Sequence, residues 1–141
     1  MKVKPYSSTV LALCGLVLIA VGAYFIFLRP VLLPEDARYI GASLSEIQEN
    51  LSGLSVWLQK VFWVMGGYIL TTGVLTFYVA RTAFRERLRG VSVLVTFAGI
   101  TSIGWMSVVN FIIQSDFKWL LLGLTILWGI SLILFWIEGE K

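Results

Sequence analysis

Glu35 and Asp36 stand side by side between Arg29 and Arg38, with Glu46 a few residues further on. Paired carboxylates could hold a divalent cation or serve as general acid and base. Neighbouring positions at a helix start seldom point at one ligand, and two arginines lie close enough in sequence to neutralise them. The reading preferred here is a polar cluster of ion pairs formed by Arg29, Glu35, Asp36, Arg38 and Glu46. Exposed pairs of this kind contribute from a few tenths to about 1 kcal/mol each.

A second set of polar side chains sits in an apolar run. Ser102, Ser107, Asn110 and Gln114, together with Gly99, fall within a sector of about 140° when each residue turns the helix by 100°. Such a stripe can line a pore, or it can form the seam of a helix bundle in lipid, where small residues allow close approach and amides bond between helices. Packing is the simpler account. Gly15 and Gly22 in one apolar run, and Gly66 and Gly73 in the next, share a spacing of seven residues. Seven residues return to nearly the same helix face, so each pair marks a groove for a neighbouring backbone. A close antiparallel contact between those two helices is expected.

Other chemistries lack their residues. The chain has no histidine, which removes histidine-ligated haem, the usual catalytic zinc sites and Ser-His or Cys-His nucleophile pairs. Cys14 is the single cysteine, so no intrachain disulfide can form, and it reads as a small buried apolar residue. No Asp, Glu or Arg falls in the middle of an apolar run, whereas pumps and proton-coupled transporters place titrating groups at that depth. No catalytic residue, metal or cofactor is expected.

The elements that must position these residues follow from composition. With 58% hydrophobic and 13% charged residues in 141 and a mean hydropathy of +0.88, the chain reads as a single integral membrane domain. Apolar runs at about 9–28, 56–80, 91–113 and 119–137 are each close to the ~20 residues that cross a hydrocarbon core. Nothing after Leu28 resembles a small-residue cleavage site, so the first run is expected to remain as a span.

The interval at about 34–55 is amphipathic. Pro34-Glu35-Asp36 has first-turn chemistry, with no amide needed at proline and acids at the positive helix end. A short helix to about Ile40, ended by Gly41, is expected. Ser43-Leu44-Ser45-Glu46 then has the form of a capping box, and Leu44, Ile47, Leu51, Leu54 and Leu58 recur at three- and four-residue spacing.

The predicted fold is an all-α membrane protein, an up-down-up-down bundle of four transmembrane helices with an outer amphipathic segment between the first two. With both termini cytoplasmic, that side carries Lys2, Lys4, Arg81, Arg85, Arg87, Arg89 and Lys141. The other carries Arg29, Arg38, Lys60 and Lys118 among most of the acids. Excess cations mark the cytoplasmic side, so this orientation is preferred. The same arginines are better explained by topology than by nucleic acid, and no nucleic-acid partner is expected.

The run Leu32-Leu33-Pro34-Glu35-Asp36-Ala37-Arg38-Tyr39 resembles the Leu-Pro-Glu-Asp segment after the first span in small bacterial four-span membrane proteins of uncharacterised function. The resemblance covers about ten residues plus the number and spacing of spans. It implies a bacterial inner (plasma) membrane location and carries no catalytic residue with it. The expected function is that of a non-enzymatic membrane protein acting through helix packing and its outer segment. It would be a self-assembling homo-oligomer or an accessory subunit of a larger membrane complex, with membrane lipid as its other partner. One alternative is a small oligomeric channel or carrier using the polar stripe of the third span. Another is an interfacial lipid-binding or lipid-modifying protein using Glu35 and Asp36.

Overall fold

A computed structural model describes residues 6–139. Lys2, Lys4 and Lys141, which weigh in the orientation argument, lie outside the described residues. The described chain is helical throughout, with no strand: α1 (Tyr6–Phe27), α2 (Pro34–Ile40), α3 (Leu44–Asn50), α4 (Ser52–Arg81), α5 (Val91–Gly99), a π-helical segment (Ile100–Gly104), α6 (Trp105–Ile112) and α7 (Lys118–Gly139). α5, the π segment and α6 run on as one 22-residue helix, here called the third long helix. It, α1, α4 and α7 are the four helices long and apolar enough to cross a membrane. At 1.5 Å per residue, 22 residues extend about 33 Å, close to the ~30 Å hydrocarbon core. α4, with 30 residues, is about 15 Å longer than that core. Its extra turns carry Trp57, Lys60 and Trp63, and the Lys60 ammonium lies 3.8 Å from the centre of the Trp63 ring.

Glycines bring α1 and α4 together. A Cβ on Gly15 would stand 2.7 Å from the Phe77 amide nitrogen and 2.9 Å from the Gly73 carbonyl oxygen. One on Gly66 would stand 2.9 Å from the Gly22 oxygen, and one on Gly73 2.8 Å from the Gly15 oxygen. Contact positions rise along α1 as they fall along α4, so the pair is antiparallel. Only hydrogen fits at these four places. α1 also packs on α7, and α7 on the third long helix. α4 and the third long helix have no comparable contact. α4 therefore buries only 17% of its most apolar stretch, against 33% for α1. The core lies where α1 and α7 are flanked by neighbours: Leu11, Cys14, Leu18, Ile103, Leu124 and Trp128 are buried there.

The third long helix widens where α7 presses on it. Trp128 is buried, and its indole Nε1 donates to the Val95 carbonyl at 3.1 Å. The indole Cδ1 would lie 2.7 Å from a Cβ on Gly99, so glycine is needed there. Immediately after Gly99 the chain takes its π turn, in which the Trp105 amide reaches the Ile100 carbonyl five residues back. Thr125 of α7 donates to the Ile103 carbonyl at 3.3 Å, close to the end of that turn.

The connection between α1 and α4 is two short helices; its end of the molecule is called outer, and the opposite end inner, after the orientation expected from charge. α2 starts at Pro34 and stops at Gly41, whose φ of 78° is in the left-handed region that glycine tolerates. Ser43 caps α3: its hydroxyl accepts from the Glu46 amide at 3.2 Å, and its own amide donates to the Glu46 carboxylate at 2.7 Å. The amphipathic run does not continue unbroken into α4. Leu51 breaks the helix with φ −137° and ψ 54° and is exposed, while Ile47 alone in the leucine-isoleucine stripe is fully buried. The break lets α4 start on its own axis against α1, which helix periodicity alone does not encode.

Candidate functional site

Three places bring polar or concave features together: the outer cluster, an inner clamp and a cleft between α4 and the third long helix. In the outer cluster, Glu35 and Asp36 diverge. Asp36 accepts from Arg29 at 3.0 Å and from the Leu33 amide at 2.9 Å. Arg29 also donates to the carbonyls of Pro30 and Val31 and lies 3.6 Å from the centre of the Phe62 ring, and its side chain is 8% exposed. Glu35 turns the other way and is buried, accepting from the Ser115 hydroxyl at 3.0 Å. Ser115 lies in the turn between α6 and α7, and its oxygen also accepts from the Phe117 amide. Arg38 reaches the same turn, donating to Asp116 and to the Gln114 carbonyl at 3.3 Å.

Glu46 stays apart from these groups in its capping box. The backbone amide of Ser43, and then the Ser43 hydroxyl, hold its carboxyl below the usual range. Five residues expected as one cluster thus serve three separate bonding sets. Among the described residues, no three His, Cys, Asp or Glu side chains converge as a metal site would need. The outer segment is latched to the α6–α7 turn by Glu35 on Ser115 and by Arg38 on Asp116.

The inner clamp has no counterpart in the sequence reading. Glu138 accepts from the Ser7 amide at 3.1 Å, from the Ser7 hydroxyl at 2.6 Å and from Arg87 at 3.4 Å. Arg87 also donates to the Phe135 carbonyl at 2.7 Å, and the buried Phe84 ring stacks 4.4 Å from that of Phe135. The buried Ser8 hydroxyl donates to the Ala80 carbonyl at 2.6 Å. One carboxylate therefore joins the start of α1, the end of α7 and the α4–α5 turn. The available signal was an acid, Glu138, directly after the fourth apolar run, on the same side as a basic turn.

The polar stripe does not form one line. Within the π turn, whose bonds reach five residues back, each residue turns the helix by less than 100°, so the sector obtained at 100° per residue does not carry from Ser102 to Ser107. Ser102 donates to the Ala98 carbonyl, Asn110 donates to the Met106 carbonyl, and Ser107 is buried. Gln114 is beyond the helix, in the turn with φ 54°, where it accepts from Lys118 at 2.6 Å. Gly15, Gly22, Gly66 and Gly73 all lie in the α1–α4 contact, so these four positions are not open to a second chain.

Where α4 and the third long helix fail to meet, a cleft of about 400 Å³ remains, within the ~300–1,000 Å³ range of small-molecule sites. Thr72, Leu75, Thr76 and Val79 form one wall, and Leu94, Val95, Phe97, Ala98, Thr101 and Ser102 the other. Leu11 and Trp128, both buried, close its back, while Leu75, Leu94 and Phe97 are well exposed at its rim. The hydroxyls of Thr72, Thr101 and Ser102 donate to carbonyls of their own helices, four residues back. The Trp128 N–H is engaged with Val95. With those protons turned into the helices, the cleft offers mostly hydrocarbon to whatever fills it. No protein-family model, curated protein or solved structure matches this chain.

Proposed function

We propose that this chain is a non-enzymatic integral membrane protein, inserted as an up-down-up-down four-helix bundle, that binds an apolar occupant in the cleft between α4 and the third long helix. The observation that carries this reading is the cleft itself. Two spanning-length helices leave a 400 Å³ concavity between them instead of packing, and three of its four wall hydroxyls donate to carbonyls of their own helices. An accessory or self-assembling role then works through this face, since the glycine faces are occupied within the chain. The excess of basic residues favours the α4–α5 turn and both termini on the cytoplasmic side. The resemblance of the Leu-Pro-Glu-Asp segment favours a bacterial inner membrane. Polar flux finds less support, because no charged side chain lines the cleft and its walls are mostly hydrocarbon. Lipid chemistry at Glu35 and Asp36 also finds less, because the two carboxylates face different partners.

The test is a photo-crosslinking amino acid placed at Leu94 on the cleft rim, with Ile133, exposed on α7, as the control. A distinct adduct at Leu94 that Ala98→Phe suppresses is the expected result. Adducts at Leu94 indistinguishable from those at Ile133, and unchanged by Ala98→Phe, would refute the reading.

A further inference from the structure

We infer that the occupant is one acyl chain of an anionic phospholipid, whose headgroup is held by Arg85 and Arg89 in the α4–α5 turn. This rests on the cleft being the working site. The cleft follows α4 from Thr72 to Val79, about 10 Å at 1.5 Å per residue, and its other wall begins at Leu94. Its lower end therefore lies beside the turn from Arg81 to Gly90, at the end of the helices where headgroups would sit. Arg85 and Arg89 in that turn are exposed and form no ion pair among the described residues, and Glu86 is the only acid in it; Arg81, two residues past Val79 at the end of α4, stands about 200° round the helix from it, on the face away from the cleft. Arg87 is different, since it folds back onto Phe135 and Glu138. A guanidinium suits phosphate because its fork of N–H donors matches two oxygens. An apolar slot directed toward a turn with two unpaired guanidinium groups has the division of chemistry found in a phospholipid, hydrocarbon in one part and anionic phosphate in the other. Arginines that only set topology would attract anionic lipid to the surface whether or not the cleft is open. The two accounts thus differ in what blocking the cleft does.

The full chain is reconstituted with equal amounts of phosphatidylglycerol and phosphatidylcholine bearing the same acyl chains, extracted, and weighed by native mass spectrometry for retained lipid. Wild type should keep one phosphatidylglycerol per chain, at least about tenfold over phosphatidylcholine, given roughly fivefold per arginine near a membrane surface. Joint Arg85→Gln and Arg89→Gln should erase the preference. Joint replacement by lysine, which keeps charge and orientation, should reduce it only in part. Ala98→Phe, with thermal unfolding showing an intact fold, should lose the retained lipid. Equal retention of both lipids by wild type, or a preference that survives Ala98→Phe, overturns the inference. Absence of lipid with a second polypeptide bound instead also overturns it, yet leaves the cleft as the working site. If Ala98→Phe alters neither lipid nor assembly, the cleft reading fails along with it.

Discussion

Replacing Gly73 by alanine probes the contact on which the whole fold leans. The added Cβ would stand 2.6 Å from the Ile19 amide nitrogen, 2.8 Å from the Gly15 oxygen and 2.9 Å from Ile19 Cγ1. The first two are backbone atoms, which cannot swing aside, so α1 and α4 must separate. Ordinary contact starts at 3.4 Å, leaving a shortfall of about 0.8 Å. A gap of ~0.5–1 Å forfeits a quarter to a half of each dispersion contact, and each is worth ~0.1–0.2 kcal/mol. Across the tens of atom pairs in such a helix pair, this comes to about 1–3 kcal/mol, the usual range for overpacking. Gly67 is the internal control. It lies in the same helix with nothing within 4 Å of its would-be Cβ, so Gly67→Ala should be neutral or stabilise by up to about 1 kcal/mol through helix propensity. Thermal unfolding of the two variants in one detergent is the assay. Gly73→Ala is expected to melt several degrees below wild type and Gly67→Ala at or above it. Equal melting of the two would refute the backbone-clash argument.

Two further substitutions or conditions address the outer segment. Arg29→Lys keeps the charge but loses the guanidinium fork and its contact over the Phe62 ring, and should destabilise by about 1–2 kcal/mol; unfolding indistinguishable from wild type would show that the Arg29–Asp36 pair does not hold the start of α2. The Glu46 carboxyl is held low by the Ser43 amide first and the Ser43 hydroxyl second. Its contribution to the α3 cap is therefore complete above the unfolded value near 4.5 and is lost as pH falls through the lower folded value. The Ser43 amide resonance in micelles should titrate with a midpoint below 4.5, and a midpoint above that value would contradict the capping geometry.

Local chemistry made α2 and α3 legible. Proline and acids start one, Gly41 stops it, and Ser43 with Glu46 caps the other, all through bonds spanning a few residues. The four apolar runs were readable for a similar reason, since a helix of some 20 apolar residues is determined by its own length and hydropathy. The spacing of Gly15, Gly22, Gly66 and Gly73 marked which faces could approach. The alignment of Ser102, Ser107, Asn110 and Gln114 was not readable, because it assumed one uninterrupted helix. The π turn after Gly99 and the exit of the chain at Ile112 depend on where Trp128 and the α6–α7 turn come to rest.

The sequence by itself determined which segments are helical, which four are long and apolar enough to cross a membrane, and which chemistries are out of reach without histidine or a second cysteine. Those properties are sums over neighbouring residues. Tertiary structure alone decided that Glu35 finds Ser115, that Ser7 and Arg87 find Glu138, and that α4 packs on α1 while standing clear of the third long helix. Such partners lie tens of residues or more apart, and helix periodicity says which face is apolar without saying what covers it. The cleft is a consequence of that last freedom: each of its walls is an ordinary apolar helix face, and only the packing of α1 and α7 behind them leaves the space between.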